Sequence, residues 1–314
     1  MPLRMIVEVM LPIVALVAAG GLWAVRARGE STEALRVQLN RMVLYVFAPA
    51  LMFSIASATA ITAALLTVPL LLALGVAFTG LLLYLLLYRS ALGRNLSNPA
   101  RAALMLSGMF GNVFYLGFPV TSFLYGAPGG LYAAFADMGA ATPLLWSLGV
   151  WIATRLGADR AAHAAHVPVW RVMGRQPPVW AFLIGVAAQQ SGIELAPLVR
   201  AAALVGQATI PVMMFVLGLS IPWTRLRPSA PILGVVAVKL AIMPLIVWAF
   251  AHWWFAPLSE APRAAVIEAA MPTMLMAVLM ADRFALDTRA AALMIGWSTL
   301  IFWFTLPLWL ALVA

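Results

Sequence analysis

The chain has 314 residues, 65% of them hydrophobic and 9% charged, with a mean hydropathy of +1.02. No soluble domain of this length needs so much apolar surface, so the composition predicts an all-α polytopic membrane protein. Cysteine is absent, which excludes disulfides, thiolate metal sites and a cysteine nucleophile. The formal charge of +9 sits in arginines between apolar runs, and membrane orientation accounts for it more simply than nucleic acid does.

Apolar runs long enough to span a bilayer follow one another along the chain. In the first half they are residues 5–25, 42–58, 63–88, 102–125 and 131–153. A polar stretch at 154–176 separates these from runs at 177–190, 198–221, 230–255, 264–281 and 290–313. The first run has the look of a signal peptide, but Glu8 interrupts it and no soluble domain follows. It is therefore read as the first of ten spans.

Charge is distributed as that count requires. Loops on one side hold fifteen arginines: 26, 28, 36, 41, 89, 94, 101, 155, 160, 171, 175, 225, 227, 283 and 289. The other side holds three, Arg4, Arg200 and Arg263. The positive-inside rule then places both termini outside and the central loop in the cytoplasm.

The two halves resemble each other. Leu11-Pro12-Ile13-Val14 in span one is echoed by Pro177-Pro178-Val179-Trp180 in span six. Ala48-Pro49-Ala50-Leu51-Met52-Phe53 in span two is echoed by Ile210-Pro211-Val212-Met213-Met214-Phe215 in span seven. Five spans per repeat is an odd number, so the second repeat enters from the opposite face, a plan frequent among secondary transporters. The predicted organisation is a first repeat at 1–155, a cytoplasmic linker at 156–176 and an inverted repeat at 177–314.

The strongest local signal lies midway along span four, at Gly111-Asn112-Val113-Phe114-Tyr115-Leu116-Gly117-Phe118-Pro119. Two glycines, an asparagine and a proline break a helix there. Freed backbone groups at membrane depth must be buried in protein or face a water-filled cavity. Span nine, the repeat partner, carries Glu268-Ala269-Ala270-Met271-Pro272-Thr273 with a proline in the same place. Two matching interruptions predict broken helices that cross near the midplane and handle a small polar solute. Asn112 is the first candidate for a substrate contact, since its amide donates to a carboxylate and accepts from a hydroxyl; capping of the following half-helix is the competing role. Gly111, Gly117, Pro119, Pro272 and Thr273 complete the candidate binding set.

Three charges fall at depth. Lys239, the one lysine, lies about ten residues into span eight, where a charge costs roughly 2.5–3.5 kcal/mol or more. Asp137 in span five and Glu268 in span nine are its candidate partners, and all three are candidate coupling groups able to exchange protons. His163, His166 and His252 lack metal-ligand company and read as surface residues. No cofactor and no metal site is expected.

These motifs resemble the auxin efflux carrier family, which includes bacterial carriers and the plant PIN-type transporters. The matching pieces are Phe47 to Leu51, Gly111-Asn112 through Gly117-Phe118-Pro119, Tyr125-Gly126 and Pro177 to Ala181, with Ile210-Pro211 through Ser220, Ala269 to Thr273, Ser298-Thr299-Leu300 and Leu306-Pro307 further on. The resemblance covers nearly the whole chain. It implies a sodium/proton-antiporter-like fold of ten spans in five-plus-five inverted repeats, with crossed helices four and nine. It also implies a scaffold domain that forms a homodimer, and elevator-type export or exchange of small organic anions across a bacterial inner membrane. The long central loop of many plant members is absent, and span nine has no asparagine beside Pro272. Both departures favour a bacterial dicarboxylate-type substrate over an auxin-like one, within the wider class of mono- and dicarboxylates. Bile-acid/sodium symporters are the alternative family, but the acidic and amide cluster of their sodium sites is not seen. An intramembrane enzyme lacks partners for Ser107, and a passive channel stands as the alternative from another class.

Overall fold

The computed structural model describes residues 8, 10–27, 30–157, 171, 174–191, 195–223, 226–227 and 229–313. His163, His166, Arg4, Arg28, Arg160 and Arg225 lie outside them. The described residues are helical almost throughout, with no sheet.

α1 is Leu11–Ala27, and α2 is continuous through Glu30–Met42, Val43–Phe47 and Ala48–Ala58. α3 is Ala63–Arg89. α4 is in two pieces, α4a (Asn98–Met109) and α4b (Gly117–Tyr125). α5 covers residues 127–157. α6 is Pro177–Ser191, α7 Ala196–Ser220 and α8 Ala230–Phe255. α9 is again in two pieces, α9a (Glu260–Ala269) and α9b (Met276–Arg283), and α10 is Thr288–Val313. Among the described residues, five helices (α2, α3, α7, α8 and α10) are long and apolar enough to cross a membrane unaided. This is an integral membrane protein.

Most elements follow the apolar runs, with one consequential difference. α2 begins at Glu30, twelve residues before the apolar run at 42–58. Charged residues at 30–41 continue the helix because one face stays polar while Glu33 and Arg36 pair at i,i+3, with Nη2 2.6 Å from Oε1. Arg36 is thus a helix residue rather than the loop charge expected from the sequence.

Prolines shape three helices, α2 among them, from within. A proline has no N–H, and its ring crowds the carbonyl four residues earlier. The helix widens to i→i+5 turns at Val43–Phe47 before Pro49, at Asp137–Ala141 before Pro143, and at Val238–Ile242 before Pro244. Such widened turns recur at functional sites. The crowded carbonyl of Leu240 is taken up by Trp309 Nε1 of α10 at 2.8 Å. Asp137 and Lys239, two of the three charges at depth, both sit in these turns.

Packing sorts the helices into two groups. In one, α1 packs on α7 and α6 packs on α2. In the other, α3 packs on α4a, α8 and α9a, and α10 packs on α4a, α8 and α9. α5 joins the second group through α3, α4 and α9a, and touches α6 through Phe135 against Phe182, edge to face at 5.9 Å.

Candidate functional site

Each broken helix leaves carbonyls and N–H groups without intrahelical partners, and buried backbone groups must find others. The two breaks supply them to each other. Asn112 N–H donates to Pro272 O at 2.7 Å, and Met274 N–H donates to Phe110 O at 3.1 Å. Gly111 and Thr273 face each other across this short antiparallel bridge. The broken segments therefore cross in contact.

Side chains close the remaining ends. Thr273 Oγ1 donates to the Ser107 carbonyl at the end of α4a (2.8 Å), and Thr273 N–H donates to Ser298 Oγ (3.0 Å). Lys239 reaches in from α8 and donates from Nζ to Ala269 O, the last residue of α9a, at 2.7 Å. A cation there also complements the negative end of the α9a dipole. Lys239 is fully buried and forms no ion pair among the described residues. Of its two candidate partners, Glu268 lies near enough to act on it through charge, while the direct contact is a backbone carbonyl, because a helix that stops at Ala269 presents that acceptor at the right depth.

Close approach explains two glycines. A Cβ on Gly111 would sit 3.1 Å from both Lys239 Nζ and Met271 O, so a side chain at the crossing would push on the lysine. A Cβ on Gly117 would overlap the Glu268 carboxyl group, which lies against the first residue of α4b. Glu268 is fully buried, and neither of its oxygens has a hydrogen-bond partner among the described residues. Thr121 donates its hydroxyl to the carbonyls of Gly117 and Gly129, both at 2.9 Å.

Asn112 does not cap α4b with its side chain. The capping position is Leu116, with no side-chain bond, and the Asn112 carbonyl closes the turn by accepting from Leu116 N and Gly117 N, both at 3.2 Å. Its amide Nδ2 is buried and has no hydrogen-bond partner among the described residues. Asn112 lines a cavity of about 140 Å³ between the two helix groups. Gly111, Asp137, Thr142, Tyr115 and Met274 line it from one group, and Arg36, Asn40, Met213 and Ser220 from the other, with Gln176 at the start of α6. Asp137 Oδ1 accepts from Thr142 Oγ1 at 3.1 Å. A smaller space of about 50 Å³ shares Asp137, Tyr115 and Gln176 and extends along Pro178 and Val179.

Of the residues singled out in the sequence, Gly111, Asn112 and Asp137 reach the cavity, whereas Lys239, Glu268, Gly117, Pro119, Pro272 and Thr273 do not line it. Arg36, Asn40 and Gln176 were missed. The available signal was the helical spacing of Glu33 and Arg36 ahead of the apolar run.

The model of a family described as "Membrane transport protein" matches residues 5–310. An "Uncharacterized transporter" of Methanothermobacter thermautotrophicus is 28% identical over 311 residues, covering 96% of each chain. A second "Uncharacterized transporter", from Methanocaldococcus jannaschii, is 26% identical over 288 residues, 86% of this chain and 87% of that one. Both relatives are archaeal, whereas the sequence reading expects a bacterial protein. The match points to a transporter and not to an enzyme. The chain therefore belongs to the membrane transport protein family, the auxin efflux carrier family whose motifs it carries.

Proposed function

We propose that this protein is a secondary carrier for small organic anions such as mono- or dicarboxylates, working by alternating access of elevator type. The observation that carries the reading is Asn112, which lines a cavity at the crossing of two broken helices and holds a buried amide donor, Nδ2, without a partner among the described residues. A buried donor left unpaired costs about 1–3 kcal/mol, so a ligand acceptor there is favoured. Arg36 adds a cation from the opposite helix group.

Packing supports ten spans in two inverted repeats. Exchanging spans one to five with six to ten turns the α1–α7 contact into α6–α2, and the α3–α9a contact into α8–α4a. The same contacts support a scaffold of α1, α2, α6 and α7 and a moving group of α3 to α5 and α8 to α10. Cavity walls drawn from both groups suit a site that changes access as one group slides past the other. Asp137, Glu268 and Lys239 are the groups assigned to proton coupling. Both termini lie outside, the central loop lies in the cytoplasm, and the scaffold forms the homodimer face.

Purified protein in liposomes tests this reading. Saturable uptake of labelled lactate or succinate, accelerated by the same solute on the far side, is expected. Unsaturable flux with conductance steps would identify a channel instead.

A further inference from the structure

The charges in the cavity wall narrow the substrate class. Among the residues that line it, one is a cation, Arg36, and one a carboxylate, Asp137. Arg36 is already paired with Glu33 through Nη2, while its Nε is buried without a partner. Asn112 is 3% exposed and holds a second unpartnered donor, Nδ2. Asn112 and Arg36, which both line the cavity, thus each keep a donor without a partner among the described residues, chemistry that suits a carboxylate, and Asp137 suits a hydrogen-bond donor or cation.

A dicarboxylate would bring two negative charges to a wall that carries a carboxylate of its own. Like charges in a desolvated space repel strongly. A solute bearing one carboxylate and one ammonium meets each group with its complement. Leu44, Leu145, Met213 and Met274 supply apolar surface for a short side chain.

We infer that the site takes a small zwitterion of the α-amino acid class, with the carboxylate on Asn112 and Arg36 and the ammonium on Asp137. This rests on the carrier reading above, with Asn112 holding the carboxylate, and replaces the anion class named there, succinate included, with a zwitterion. It adds Arg36 and Asp137 as the residues that decide between anion and zwitterion.

The test is counterflow in liposomes with full-length protein, using labelled L-valine, isovalerate (the same skeleton without the amine) and succinate. Valine should exchange saturably, with isovalerate and succinate competing at least about tenfold less well. Asp137→Asn should lower valine flux about tenfold or more, since it removes the charge partner of the ammonium. The same change should raise isovalerate relative to valine, and Asp137→Glu should restore part of the valine flux. A loss of folding would instead depress every solute together and alter the elution profile. If succinate or isovalerate is carried and valine is not, the zwitterion assignment is wrong and the carrier reading stands. An equal drop for all solutes in well-folded Asp137→Asn rejects the role of Asp137 in the same way. If none of the three moves with folded wild-type protein, both the assignment and the carrier reading fail.

Discussion

Lys239 Nζ and Ala269 O, 2.7 Å apart, join the middle of α8 to the end of α9a. The contact places a cation on the last carbonyl of a helix that stops at Ala269, shortly before Thr273. It also sets the lysine beside Gly111, at the point where the two broken helices meet. The crossing is thus a three-element junction rather than a pair of helices in isolation.

Lys239→Ala removes the donor and leaves a void, and should destabilise the protein by about 2–5 kcal/mol. Lys239→Met keeps the volume and removes the charge together with its burial cost, so its loss should be clearly smaller, about 1–2 kcal/mol. Thermal or denaturant unfolding in detergent ranks the two. No loss in Lys239→Met would show that packing alone, and not the bond to Ala269, accounts for the lysine.

Gly117→Ala forces a methyl group into the Glu268 carboxyl group. Overpacking of this kind costs about 1–3 kcal/mol. Truncating the neighbour in the double variant Gly117→Ala/Glu268→Ala opens the space, so the two changes should couple by about 0.5–3 kcal/mol in the rescuing direction. A double-mutant cycle on unfolding free energies checks this, and strict additivity would contradict the contact.

Thr273→Val keeps shape and removes the hydroxyl that caps Ser107 O. The orphaned carbonyl should cost about 1–3 kcal/mol of stability, and Thr273→Ser should recover most of it. Transport per folded molecule should change less than stability, because Thr273 does not line the cavity.

The breaks themselves were legible because glycine and proline act locally: Gly111 to Pro119 and the Pro272 segment read as interruptions before any contact was known. Their pairing was also legible, through the repeat. What the crossing recruits was not. Ala269 O is a backbone atom with no signature in the sequence, which offers only the carboxylates of Asp137 and Glu268 as partners for Lys239. Arg36 was hidden by its setting, since a charged stretch before an apolar run reads as a loop until the helix is seen to begin at Glu30. Asn40 and Gln176 are ordinary polar residues whose importance comes only from the wall that they share with Asn112.

Arg36→Gln leaves a polar side chain in the wall and removes its one cation. Affinity for a carboxylate solute should weaken about 10- to 100-fold, with little change in stability, because the Glu33 pair that is lost is largely exposed and worth under about 1 kcal/mol. Transport at rising solute concentration separates the two effects: a higher half-saturation with a preserved maximum is expected.

The central claim is that Asn112, held at the crossing by its N–H bond to Pro272 O, presents its amide to a solute carboxylate. Counterflow of labelled carboxylate solute through Asn112→Ala protein in liposomes tests it most directly. The account predicts that flux falls by at least about tenfold while the variant unfolds within about 1 kcal/mol of wild type, since a donor that bonds nothing in the protein costs little to remove. Undiminished, saturable flux through Asn112→Ala would contradict it.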